Sequence, residues 1–287
     1  MSNTNIEQQD QYSVNVAWPV NEPTNAEDCW EQLVRLSSSG KAVECHGVHQ
    51  DWKCIRSSLD CRFEDKKIHK EKRVEVETSL LESFAKYADL HLPPEARRFI
   101  EVARLKWKTL YNTGTVFVGR HYGLPTRCVD WTSDPLIALF FACRRDFEEP
   151  GVVWWMDYDV FSYALAKQWP LFYGKKENIE DDFEKDFTNG VNKEILIRFH
   201  YGCLVERPIK QKAHIIMSGQ YDVHHDKAIH RLGVQKCGRF IIKPQMKTDL
   251  LNKLNRWGIN GATLGIGDSC VEIIADDVAK QFCPDGK

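Results

Sequence analysis

The side chains best suited to chemistry crowd into one stretch, Arg120 to Leu136. It holds two guanidiniums (Arg120, Arg127), an imidazole–phenol pair (His121, Tyr122), two carboxylates (Asp130, Asp134) and three hydroxyls (Thr126, Thr132, Ser133). Gly123, Pro125 and Pro135 punctuate it, and the apolar run Ile137–Ala142 follows at once. A stiffened polar loop that feeds a helix N-terminus is suited to an anionic or nucleotide ligand, because the first backbone N–H groups of a helix point outward.

Each of these residues also has a plain structural use. Arg127 can grip a phosphate with two parallel hydrogen bonds, or brace the loop by pairing with Asp130. His121 and Tyr122 can stack on a flat ring, or Tyr122 can plug the core. Thr132 can donate to a ligand or serve as a cap. Outside the stretch, His46 stands at the end of a short strand candidate, just before Gly47, where an imidazole can anchor a ligand or simply pack. Gln235 can hold a ribose hydroxyl or satisfy a backbone group.

Other elements must position these groups. Residues 1–22 read as flexible, and residues 23–287 as one domain with a polar, acidic insertion near 174–194. Thr24 or Asn25 caps a predicted helix over Ala26–Leu36, and Ala42–Cys45 is a strand candidate. The charged run 62–77 reads as a solvated loop or exposed helix start. Helices are expected over Glu75–Leu90 and Glu95–Tyr111, with Asn112-Thr113-Gly114 as the stop. Asp134-Pro135 has the form of an N-cap and first helical position for a helix over Leu136–Arg145. Val152–Met156 is the clearest buried strand, with one of Trp154 and Trp155 inside and the other half-exposed. Ile195–Phe199, Ile215–Met217 and Arg239–Ile242 are further strands. Asp249–Trp257 and Ser269–Phe282 are the last two helices. Helices thus dominate the first half and strands the second, which favours an α+β fold over alternating βαβ units.

Composition narrows the function classes. The 287 residues are 43% hydrophobic and 28% charged, with a formal charge of −2, so no global field draws the chain to nucleic acid. Only the Lys/Arg-rich part of 62–77 supports nucleic-acid binding, which is therefore not favoured. No run of 18 apolar residues is present, and the polar first residues lack signal-peptide features, so a cytoplasmic protein away from membranes is expected. The ten cysteines form no C-x-x-C pair and read as reduced thiols. His46-x-x-His49 and His224-His225 lack paired metal-ligand spacing, so no metal is expected. No Walker loop or G-x-G-x-x-G motif occurs.

The block His121-Tyr122-Gly123-Leu124-Pro125-Thr126-Arg127, then Asp130-Trp131-Thr132, Pro135-Leu136, Ala138-Leu139 and Phe141-Ala142, resembles the signature of the FRG domain family. That signature runs close to H-Y-G-L-P-T-R-L-L-D-W-T-x-S-P-L-x-A-L-x-F-A. Upstream, Cys45-His46-Gly47 sits where the family carries its namesake F-R-G, with His46 replacing the arginine. Downstream, Arg231 to Phe240 is similar to an R-x-x-x-Q-x-G-x-F block, and Gly258 to Leu264 to the closing G-I-x-x-x-x-L. The blocks span about residues 26–280.

In their order the blocks also resemble ADP-ribosyltransferases. That resemblance implies a helical N-terminal half on a mixed or antiparallel split β-sheet, with NAD as substrate and ADP-ribose passed to a macromolecule or to water. It implies that His46 and Arg127 hold NAD beside Gly47, that His121 and Tyr122 stack, and that Asp130 belongs to the pocket. Thr132 supports the reacting group, and Gln235 occupies the slot of a catalytic glutamate on a late strand. A glutamine offers no net charge to an oxocarbenium ion. Either another acid serves, with Asp130, Glu206 and Asp222 as candidates, or the chain is a nucleotide- or protein-binding sensor that cleaves nothing. The resemblance to the FRG family implies a setting in toxin or phage defence.

Overall fold

The computed structural model describes residues 18–88, 90–106, 111–168, 195–200, 206–221 and 223–266. The insertion near 174–194, Asp222 and the predicted last helix lie outside these described residues. A seven-stranded mixed open sheet forms the centre, and ten helices surround it among the described residues. The strands are β1 (Val20–Asn21), β2 (Val43–Val48), β3 (Cys128–Thr132), β4 (Gly151–Asp157), β5 (Leu196–His200), β6 (Ala213–Ser218) and β7 (Cys237–Ile242). Their spatial order is β1-β7-β4-β2-β3-β6-β5, with β1–β7 parallel and every other pair antiparallel.

One join in this sheet differs from the rest. β2 pairs with β4 along its whole length, Val43 to Val48, and β3 pairs with β6 from Cys128 to Thr132. Between β2 and β3 there is only Cys45↔Thr132. Beyond that point the two strands part, and the sheet has a seam.

The first face of the sheet carries α1 (Ala26–Ser38), α6 (Pro135–Cys143) and α10 (Pro244–Arg256) over an apolar core of Val43, Cys45, Val153, Phe240 and Ile242. Asn25 caps α1, its side chain accepting from the Asp28 N–H. Asp134 caps α6 by accepting from the Leu136 N–H at 2.9 Å, with Pro135 in the first turn. α6 is apolar all round because it is buried all round. Its seat needs two glycines: a Cβ on Gly47 of β2 would lie 1.9 Å from the Ala138 carbonyl oxygen, and one on Gly151 of β4 would lie 2.2 Å from that of Ala142.

Helices α2 (Ser58–Asp65), α3 (Lys70–Ala88), α4 (Pro94–Lys106) and α5 (Tyr111–His121) gather against the β3–β6–β5 half. The opposite face is covered by α7 (Tyr158–Gln168) and α9 (His225–Arg231), packed on Val129, Trp131, Trp154 and Ile216. Trp154 is buried and Trp155 half-buried, as the period-2 reading requires. α8 (Glu206–Lys210) precedes β6.

Four sequence expectations change. The flexible start does not reach residue 22, since Trp18 packs edge-on against Trp154 at 5.2 Å and Val20 pairs with Arg239. The stop at Asn112-Thr113-Gly114 is instead the first turns of α5, because burial of Val116, Phe117 and Val118 outweighs the weak helix propensity there. The charged run 62–77 spans the end of α2 and the start of α3, and its last residue, Glu77, is buried. The polar stretch holds a strand, β3, so the division into helical and stranded halves fails: β2 and β3 lie inside the sheet. No helix among the described residues is long and apolar enough to cross a membrane.

Candidate functional site

The seam opens into a cleft of about 670 Å³. His46 and Gly47 of β2 and Asp130 to Thr132 of β3 line it, with α6 on one wall and the end of α5 on the other. Trp52 and Arg56 from the segment after β2, and Arg207 from α8, complete the lining. Five arginines and three histidines line the cleft, against one carboxylate, Asp130, among the described residues. Such a surface concentrates anions.

His46 bridges the seam. Its Nδ1 is 2.7 Å from the Asp130 carbonyl oxygen, so Nδ1–H donates across the gap where a backbone ladder would otherwise continue. The residue is 8% exposed, and burial pushes its pKa down to about 4, so the ring is neutral. Nε2 then carries a lone pair, and it has no hydrogen-bond partner among the described residues. The Trp131 ring lies 5.6 Å away, centre to centre. His225, at the start of α9, donates from Nε2 to the Arg127 carbonyl at 3.1 Å just ahead of β3, and burial lowers its pKa to about 3.

Asp130 and Arg120 form the cleft's ion pair. Arg120 Nε and Nη2 both reach Asp130 Oδ2, at 2.8 and 2.6 Å, and Nη1 donates to Ser58 Oγ at 2.8 Å. The bracing partner of Asp130 is thus Arg120 rather than Arg127. His121 lines the cleft with its ring edge-on to Tyr122 at 5.1 Å, and burial, reinforced by Arg207, lowers its pKa to about 4. Tyr122 is 9% exposed and serves both core and cleft.

Thr132 is occupied. Its hydroxyl donates to the Gln211 carbonyl at 2.8 Å and accepts from the Asp134 N–H at 3.1 Å, which ties β3 to the cap of α6. Gly47 lines the cleft and also gives the α6 backbone its room.

Two predicted residues stand elsewhere. Arg127 does not line the cleft; it is 5% exposed, and its Nε meets Glu77 Oε2 at 2.9 Å. Its guanidinium stacks over the Tyr221 ring at 4.6 Å, and the Tyr221 hydroxyl donates to the same Glu77 oxygen at 2.6 Å. Gln235 is exposed, on the loop ahead of β7 rather than on a strand, and is not among the cleft residues. Of the alternative acids, Asp222 and the Glu206 side chain lie outside the described residues.

Three features escaped the sequence reading. Trp52 and Arg56 stack at 4.8 Å on the cleft wall, and Arg56 also pairs with Glu64 at 2.5 Å. Lys247 of α10, fully buried, donates to the carbonyls of His49, Arg145 and Asp146 at 2.9, 3.0 and 2.8 Å, clamping two stretches of the cleft rim together. On the opposite face Glu44 accepts from Arg198 at 2.7 Å and contacts His214 Nε2. Burial, opposed by Arg198, raises the Glu44 pKa to about 7. No group of three or more His, Cys, Asp or Glu residues is placed to hold a metal among the described residues.

An α+β protein with a cationic cleft at a sheet seam is the class that the fold and site define. Comparison with protein families then gives one match: the FRG domain, over residues 46–150, so the chain carries an FRG domain there. The matched segment starts at His46 and includes both walls of the seam, α5, β3 and α6, while Gln235, Arg207 and Lys247 lie beyond it. No curated protein and no solved structure matches the chain.

Proposed function

We propose that the cleft binds a dinucleotide, NAD, and that the chain transfers ADP-ribose from it to a macromolecule or to water. The observation that carries this reading is the pairing Cys45↔Thr132, which brings the His46-Gly47 and Trp131-Thr132 blocks together on the floor of one arginine-lined cleft. A cleft of about 670 Å³ lies within the usual range for small-molecule and cofactor sites. Guanidiniums suit a pyrophosphate, which they grip with paired hydrogen bonds. The neutral His46 offers Nε2 as an acceptor for a ribose hydroxyl, and Tyr122, His121 and Trp52 offer flat faces to the bases.

The test is calorimetry with NAD, then mass spectrometry of NAD incubated with the protein and cell lysate. Micromolar binding with release of nicotinamide is the expected result. Absence of both binding and turnover sinks the reading.

A second reading, a nucleotide sensor without catalysis, is favoured by the position of Gln235. The residue that would stand for the catalytic glutamate is exposed and outside the cleft. A sensor gains about 2.7 kcal/mol of stability at a ligand concentration of 100 Kd and forms no product. Nicotinamide release that stops in His46→Ala would exclude it.

A further inference from the structure

We infer that Asp130 supplies the carboxylate that faces the splitting glycosidic bond. The inference rests on the NAD reading above. Asp130 is the one carboxylate lining the cleft among the described residues. Both Arg120 contacts fall on Oδ2, and Ser58 fixes Arg120 in turn. Oδ1 therefore has a set direction and no hydrogen bond of its own among the described residues, on a side chain 46% exposed. Asp130 also holds His46 through its backbone carbonyl. A single residue thus fixes the imidazole that meets a ribose hydroxyl and presents a negative oxygen beside it.

That combination suits cation stabilisation. In the step assigned here, the bond between the ribose C1′ and the nicotinamide nitrogen breaks, and both electrons leave with the nicotinamide, which departs neutral. The sugar becomes an oxocarbenium ion, and Asp130 Oδ1 stabilises its charge. The oxygen of water, or of a nucleophile on the acceptor, then bonds to C1′, and its proton passes to solvent. Neither Thr132, whose hydroxyl is committed at both ends, nor the exposed Gln235 can provide that charge.

Asp130→Asn keeps an oxygen for Arg120 and removes only the charge. NAD binding and nicotinamide release are measured in parallel for the native chain and this variant. The expected result is NAD affinity within about threefold of native and release slowed about a hundredfold or more. If the variant releases nicotinamide at the native rate, the assignment is overturned and the NAD reading stands. NAD binding without release by the native chain also overturns it, and leaves the sensor reading. No NAD binding by the native chain removes both the reading and the assignment. If Asp130→Asn does not fold, the pair Asp130→Ser with Arg120→Ser removes both charges. Its nicotinamide release is compared with that of Arg120→Ser alone: equal rates overturn the assignment, and a further hundredfold loss supports it.

Discussion

Arg120 and Arg127 stand seven positions apart in one motif, and each pairs with a carboxylate. Arg120–Asp130 lines the cleft, with side chains 20% and 46% exposed; Arg127–Glu77 lies behind it, at 6% and 3%. Water still reaches the first pair, so its mutual attraction is screened and its net effect on stability is small. The second pair is dry, so neither charge can lose its partner without remaining unsolvated. An arginine and a carboxylate that line the cleft in one pair form a dry structural lock in the other. A motif arginine is therefore no evidence of ligand contact until its carboxylate is known.

The largest expected effect comes from breaking the dry pair. Arg127→Ala leaves Glu77 buried and unpaired and should cost about 3–5 kcal/mol, read as a fall in the urea midpoint. Replacing both, as Arg127→Met with Glu77→Leu, should recover much of that loss, although Tyr221 then loses the acceptor of its hydroxyl.

Acidification ranks next and acts on the seam. His46, His121 and His225 have folded pKa values near 4, 4 and 3, below the unfolded value of about 6.5. The unfolded chain binds more protons between those limits, so the stability they contribute is complete above about pH 6.5 and is lost as pH falls toward 4. For His46 alone the shift corresponds to about 3 kcal/mol as an order of magnitude. Glu44 has the opposite sign: with its pKa raised to about 7, it contributes most below the unfolded carboxylate value, and that contribution is lost as pH rises through 7. Burial also lowers His49, which acts with these histidines, and raises Asp60 and Asp226, which act with Glu44; the histidines titrate inside the window, so the thermal midpoint should fall between pH 7 and pH 5. His225→Gln should flatten that slope.

Breaking the wet pair should matter little to folding. Arg120→Gln is expected to cost about 1 kcal/mol or less in stability while weakening NAD binding measurably by calorimetry. A large loss of stability would mean that the two pairs are alike after all. The smallest effect belongs to Gln235→Ala, which should change neither stability nor NAD affinity beyond error.

The sequence signals that survived are short-range. Asn25 and Asp134 cap where cap residues should, because a cap needs only the next few residues. Val152–Met156 is a strand, as local pattern suggested, and the short strand expected over Ala42–Cys45 is there too but runs on through His46-Gly47 to Val48. What stayed hidden depends on distant partners. Glu77 looks like any member of a charged run until Arg127, fifty positions on, takes it inside. β3 alternates Val129 and Trp131 with Cys128, Asp130 and Thr132, but the polar residues facing the cleft disguised it as a loop. Gln235 was placed by motif order, and order along the chain does not fix position in space.

The Lys247 clamp gives the molecule an internal clock. An ammonium group with no exposed surface, bound to three carbonyls, is closed to acylating reagents while α10 sits on α6. Exposed lysines such as Lys53 and Lys212 react freely in the same tube. Acylation at Lys247 therefore counts the openings of the rim, and a ligand that seals the cleft slows that count without touching the lysine itself.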